Sequence, residues 1–121
     1  MSSGWIGVDL DGTLAMYPGT YGVPHGIGKP IPKMVNRVKK WLSEGKEVRV
    51  MTARAAGPFM NINGEDIGED AALKEVRDWC EEHIGRQLPI TCKKDYQMIE
   101  LWDDRAVQVI PNTGERADAA N

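Results

Sequence analysis

Apolar residues fall along the chain in short blocks, and their period alternates between strand-like and helix-like spacing. Trp5-Ile6-Gly7-Val8 is an unbroken apolar run that stops at Asp9, with Gly12 just beyond it to turn the chain. Such a run predicts a short buried strand. Ile31, Met34, Val35, Val38, Trp41 and Leu42 then share one helical face, and Pro32 and Gly45 suit the first turn and the stop of a helix over 31–42. Val48, Val50 and Met51 predict a second strand that ends at Thr52. Helical spacing returns at Ala72, Leu73, Val76, Trp79, Cys80 and Ile84, which predicts a second helix over 69–84, stopped by Gly85. Leu88–Cys92, Met98–Trp102 and Ala106–Ile110 predict three further strands.

Two stretches interrupt this pattern. Residues 15–30 contain Tyr17, Pro18, Gly19, Tyr21, Gly22, Pro24, Gly26, Gly28 and Pro30 and cannot form regular helix, so they predict a long loop or flap. Residues 55–68 form a second connection rich in Gly, Asn and Pro. The small, polar segment 115–121 is expected to fray, leaving one domain over 1–114 with no repeat and no internal linker.

Strands alternating with helices predict an α/β fold, a Rossmann-like three-layer sandwich on a mainly parallel sheet. In such sheets the ligand lies beyond the carboxyl ends of the strands. The polar residues ending each strand should therefore form one chemical set. They are Asp9 and Asp11, then Thr52, then Lys93 or Lys94, then Asp103 and Asp104. Alternation with Ile90 and Cys92 favours Lys94 of the two lysines. Carboxylates gathered in one crevice repel one another unless a hard cation neutralises them, and Mg²⁺ held by a few carboxylates and a substrate phosphate fits that demand. A threonine hydroxyl and a lysine do not help bind a cation, but both help bind phosphate. Together these groups describe phosphoryl transfer through an aspartyl-phosphate.

Competing motifs fail on spacing. An EF-hand needs Gly at the sixth loop position and Glu at the twelfth, where a loop starting at Asp9 has Leu14 and Thr20. Gly26-Ile27-Gly28-Lys29 is followed by Pro30 where a phosphate-binding P-loop requires Ser or Thr. Within the flap, His25 is the one group that titrates near neutral pH and is a candidate substrate contact. Arg54 is a candidate for substrate contact or for a surface salt bridge, and Arg105 for orienting the Asp103–Asp104 pair.

The motif series resembles that of the haloacid dehalogenase superfamily. Asp9-Leu10-Asp11-Gly12-Thr13-Leu14 is similar to its first signature, Thr52 in Met51-Thr52-Ala53-Arg54 to the second, Lys94 or Lys93 to the third, and Trp102-Asp103-Asp104-Arg105 to the fourth. The resemblance spans residues 5 to about 110, in the family's order. It implies that Asp9 is the nucleophile and Asp11 the general acid and base. It also implies that Leu10, Thr52, Ala53 and Lys94 hold the phosphoryl group, and that Asp9, the Asp11 carbonyl, Asp103 and Asp104 bind Mg²⁺. No cap domain fits either of the family's insertion points, so the chain resembles capless phosphatases. An open site implies a macromolecular phosphoester or closure by a second copy, with a phosphorylated small molecule also open. The alternatives are a non-catalytic module that binds a phospholigand or serves assembly, and phosphoryl transfer within a sugar.

Composition narrows the partners. With 121 residues the chain suffices for one compact domain, and 41% apolar with 27% charged residues is ordinary for a globular protein. A net charge of −3 weighs against nucleic acid as the preferred partner, and the basic cluster Lys33, Arg37, Lys39, Lys40, Lys46 and Arg49 reads as a solvated helix face. Cys80 and Cys92 are expected to be reduced thiols. The N-terminus lacks a basic segment ahead of an apolar one, and no window suits a membrane span, so a cytoplasmic protein is expected.

Overall fold

The computed structural model describes residues 4–17 and 25–118. Its elements run β1 (Trp5–Val8), α1 (Pro32–Ser43), β2 (Glu47–Met51), a 3-10 turn (Ala53–Ala55), α2 (Gly68–His83), β3 (Ile90–Thr91) and β4 (Met98–Trp102). The four strands form one sheet in the order β3-β2-β1-β4, and every pair is parallel. This is the expected Rossmann-like α/β architecture, with both helices close to their predicted bounds.

Side-chain alternation divides the sheet into two faces. Ile6 and Val8 of β1 and Val48 and Val50 of β2 pack against Met34, Val35 and Val38 of α1 and Val76, Trp79 and Cys80 of α2 in one buried cluster. The next residues along the strands point the other way. Trp5 is buried there beneath the Arg49 guanidinium, whose carbon lies 4.5 Å from the ring centroid. Its indole N–H donates to Asp95 Oδ1 at 2.8 Å, which anchors the irregular crossing from β3 to β4. That crossing and these two side chains form a thin third layer opposite the helices. Arg49 therefore does not extend the basic face of α1, and Arg37 of that helix stacks on Trp102 at 4.8 Å.

The predicted strand Ala106–Ile110 does not form. Val109 makes one isolated antiparallel bridge with Arg116, and Ile110 and Glu115 are joined by a backbone bond of 2.8 Å, so residues 108–117 make a small exposed hairpin instead. Alternation at Val107 and Val109 satisfies the strand pattern, but these side chains are half exposed and no sheet partner reaches them. Residues 115–118 of the expected tail close this hairpin, and 119–121 lie outside the described residues.

The flap is described only at its two stems, since 18–24 lie outside the described residues. The stems pair with each other: the Met16 N–H donates to the Lys29 carbonyl at 2.7 Å and the Ile31 N–H to the Leu14 carbonyl at 2.8 Å. Trp79 Nε1 on α2 donates to the Gly28 carbonyl at 3.0 Å and holds the returning stem against the helix layer. The flap thus begins and ends at the carboxyl edge of the sheet. Among the described residues no helix is long and apolar enough to cross a membrane.

Candidate active site

Three adjacent strands aim their carboxyl ends at one crevice. β1 ends in Asp9, its neighbour β4 ends in Asp103 and Asp104, and its other neighbour β2 ends in Thr52. The strand ends are tied together, because the Asp9 N–H donates to the Trp102 carbonyl at 2.9 Å. Asp9, Asp103 and Asp104 each offer a carboxylate oxygen within 4.8 Å of the others. The expectation that residues nearly a hundred positions apart would meet at one sheet edge is met for these three.

Their loops fix the geometry. Thr13 Oγ1 donates to Asp104 Oδ1 at 3.2 Å and accepts the Asp104 N–H at 3.1 Å. Asp103 Oδ1 accepts the Arg105 N–H at 2.8 Å, which closes the turn after β4. Gly12 has φ +94°, and a Cβ there would fall 2.6 Å from Asp104 Cγ. The glycine therefore serves both the left-handed turn and the close approach of the Asp104 carboxylate.

Electrostatics shows how unfavourable this cluster is without a counter-charge. Burial, a hydrogen bond with the Asp104 side chain and the charges of Asp103 and Asp104 push the Asp9 carboxyl from its ordinary 3.8 up to about 8, against the opposing Leu10 N–H. The Asp9 carboxyl then keeps its proton near neutral pH unless a cation offsets the charges of its neighbours. An all-oxygen donor set of this kind fits a hard cation such as Mg²⁺, with Asp9, Asp103 and Asp104 as its holders.

This shift predicts a pH dependence. The folded chain keeps the Asp9 proton between about 4 and 8, where the unfolded chain has lost it, so stability falls as pH rises through that window. Metal-free protein should melt several degrees lower at pH 8.5 than at pH 5.5, and an Asp9→Asn variant should show a much smaller difference. Saturating Mg²⁺ should restore the melting temperature at pH 8.5. Differential scanning calorimetry with and without a chelator reads all three, and parallel profiles for the two proteins would refute the argument.

The crevice opens into a cavity of about 690 Å³ whose lining includes Asp9, Asp11, Thr52, Ala53, Arg54 and Asp103. Thr52 is buried, and its hydroxyl accepts the Arg54 N–H at 3.1 Å. Pro58, Met51 and Met60 give it an apolar wall, and Tyr17 and His25, in edge contact at 4.8 Å, line it from the flap stems. His25, a candidate from the sequence, thus lies at the cavity. Leu10 is fully buried and offers the site only its backbone.

The Asp11 carboxylate stands outside the acidic triad, and both its oxygens accept from Arg54, Nε to Oδ2 at 2.7 Å and Nη2 to Oδ1 at 3.0 Å. One placement differs from the sequence expectations. Neither Lys93 nor Lys94 lines the cavity, and both are exposed, because β3 ends at Thr91 and the chain turns away through a Thr91 Oγ1 contact with the Lys93 backbone. The cationic side chains lining the cavity among the described residues are instead Arg54 and Arg105. Arg54 is no surface salt bridge, since its side chain is 19% exposed and that of Asp11 17%. Its position two residues after Thr52 was the available signal. Cys92 also lines the cavity, as a free thiol.

No family model matches the chain, and no curated protein is detectably similar to it. A solved structure, that of a conserved protein from Bacteroides thetaiotaomicron, superposes with a TM-score of 0.58 at 24% identity, covering 91% of this chain and 83% of that one. The likeness shows the fold and leaves the chemistry to be argued from the residues.

Proposed function

We propose that this protein is a Mg²⁺-dependent phosphomonoester hydrolase of the haloacid dehalogenase type, working through an aspartyl-phosphate on Asp9. The observation that carries this reading is the meeting of Asp9, Asp103 and Asp104 within 4.8 Å, two of them, Asp9 and Asp103, lining a cavity that Thr52 at the end of β2 also lines. A bound cation would neutralise the cluster and the phosphate charge together. The chain's own groups supply the rest. Asp9, ionised once a cation offsets the charges of its neighbours, attacks phosphorus. Asp11, two residues on, takes up a proton from solvent, gives it to the leaving oxygen and then takes one from the water that splits the aspartyl-phosphate and releases phosphate. Thr52 and the backbone at Ala53 hold phosphoryl oxygens where charge builds up.

The cavity volume of about 690 Å³ lies within the usual range for small-molecule sites, which favours a phosphorylated small molecule over a macromolecular phosphoester. Release of inorganic phosphate from a panel of sugar, nucleotide and polyol phosphates tests the reading. Activity should appear with Mg²⁺, vanish with chelator and return on adding Mg²⁺ back. Tight binding of phosphate or phosphoesters with no turnover on any of them would favour the phospholigand-binding module instead.

A further inference from the structure

We infer that Arg54, and not a lysine after β3, is the cation that receives the substrate's phosphoryl group, and that Asp11 holds it in reserve until that group arrives. This rests on the phosphohydrolase reading. Three observations lead there. A phosphate dianion beside three carboxylates needs a protein cation as well as a metal, and the lysines expected in that role are exposed and absent from the cavity lining. Arg54 lines the cavity and has its backbone anchored on the Thr52 hydroxyl, at the base of the phosphate cradle. Its guanidinium is committed to Asp11 by two bonds of 2.7 and 3.0 Å and to the His25 carbonyl of the flap stem by one of 2.9 Å.

Those bonds are exchangeable. A planar guanidinium prefers a dianionic phosphoryl group to a single carboxylate when both are within reach, because the charge is doubled and the bidentate geometry is kept. Moving from Asp11 to the phosphoryl oxygens frees both Asp11 oxygens, which the ion pair otherwise occupies, to face the leaving oxygen. The same movement releases the His25 carbonyl, so the returning flap stem is loosened when substrate is seated. Arg105 is the rival cation, but its backbone is anchored on Asp103 in the turn after β4 and not on Thr52.

Binding of inorganic phosphate in the presence of Mg²⁺, followed by calorimetry, tests this without requiring turnover. Arg54→Ala should weaken phosphate binding at least tenfold more than the double variant Lys93→Ala/Lys94→Ala or than Arg105→Ala, with Arg54→Lys intermediate. Asp11→Asn should bind phosphate more tightly than the parent, since Arg54 is released, and the gain should vanish in Asp11→Asn/Arg54→Ala. A gain that persists in that double variant reflects only the removed negative charge and overturns the exchange. A larger loss in either competing variant overturns the assignment to Arg54. Should the phosphate pattern hold while no phosphomonoester is turned over, the hydrolase reading fails and the assignment of Arg54 stands.

Discussion

Asp9→Asn is expected to lower kcat for phosphomonoester hydrolysis by at least about 10⁴-fold, the scale on which removal of a covalent nucleophile acts. The variant should nevertheless fold, and without metal at pH 8.5 it should melt above the parent. The two effects have one cause. Asp9 is held among Asp103 and Asp104 in a partly buried crevice that pushes its carboxyl up to about 8, so the ionised form that the proposed attack requires is the form the metal-free fold tolerates least. Asparagine keeps the shape and removes the charge. Stability given up to assemble a reactive group is a recurring feature of active sites. Steady-state kinetics together with melting curves at pH 8.5 decide it. A variant that kept more than a tenth of the parent's kcat would remove Asp9 from the nucleophile's role. One that lost activity but melted no higher than the parent at pH 8.5 would contradict the electrostatic account.

Periodicity carried most of the fold. Apolar spacing along α1 and α2 and the runs at β1, β2 and β4 reflect burial against a shared core, and burial writes itself into sequence directly. Pairing does not. Ala106–Ile110 has the alternation of a strand but, among the described residues, no neighbour in the sheet, and β3 shrinks to Ile90–Thr91, where only Pro89, Thr91 and the ends of β2 meet. The acidic triad was legible for a topological reason: in a parallel sheet the residues ending adjacent strands must meet. The partners of Asp11 were not legible. Arg54 stands 43 positions away and is brought to it by the loop after β2, whose path no local pattern records. The displacement of Lys94 has the same origin, since a strand two residues long cannot aim a side chain three residues past its end.

Gly12→Ala is expected to weaken divalent-cation binding at least tenfold and to destabilise the domain by about 1–3 kcal/mol. Two penalties act at this position. The backbone sits at φ +94°, where a side chain is strained, and an added Cβ would collide with the Asp104 carboxylate, its Cγ lying 2.6 Å away. The turn between Leu10 and Ala15 is closed by backbone bonds of 2.7 to 3.3 Å, so the main chain has little room to yield. Asp104 must then leave its place beside Asp9 and give up its exchange with Thr13, and the triad loses one of its three carboxylates. Gly45→Ala supplies the control. Gly45 has φ +81° but nothing within 4 Å of an added Cβ, so it carries the backbone penalty alone. Its variant should lose roughly 1 kcal/mol of stability and bind the cation as the parent does. The difference between the two variants isolates the steric push on Asp104. Isothermal titration with Mg²⁺ and thermal unfolding of both measure it, and equal cation affinities would show that Asp104 is not among the groups holding the metal.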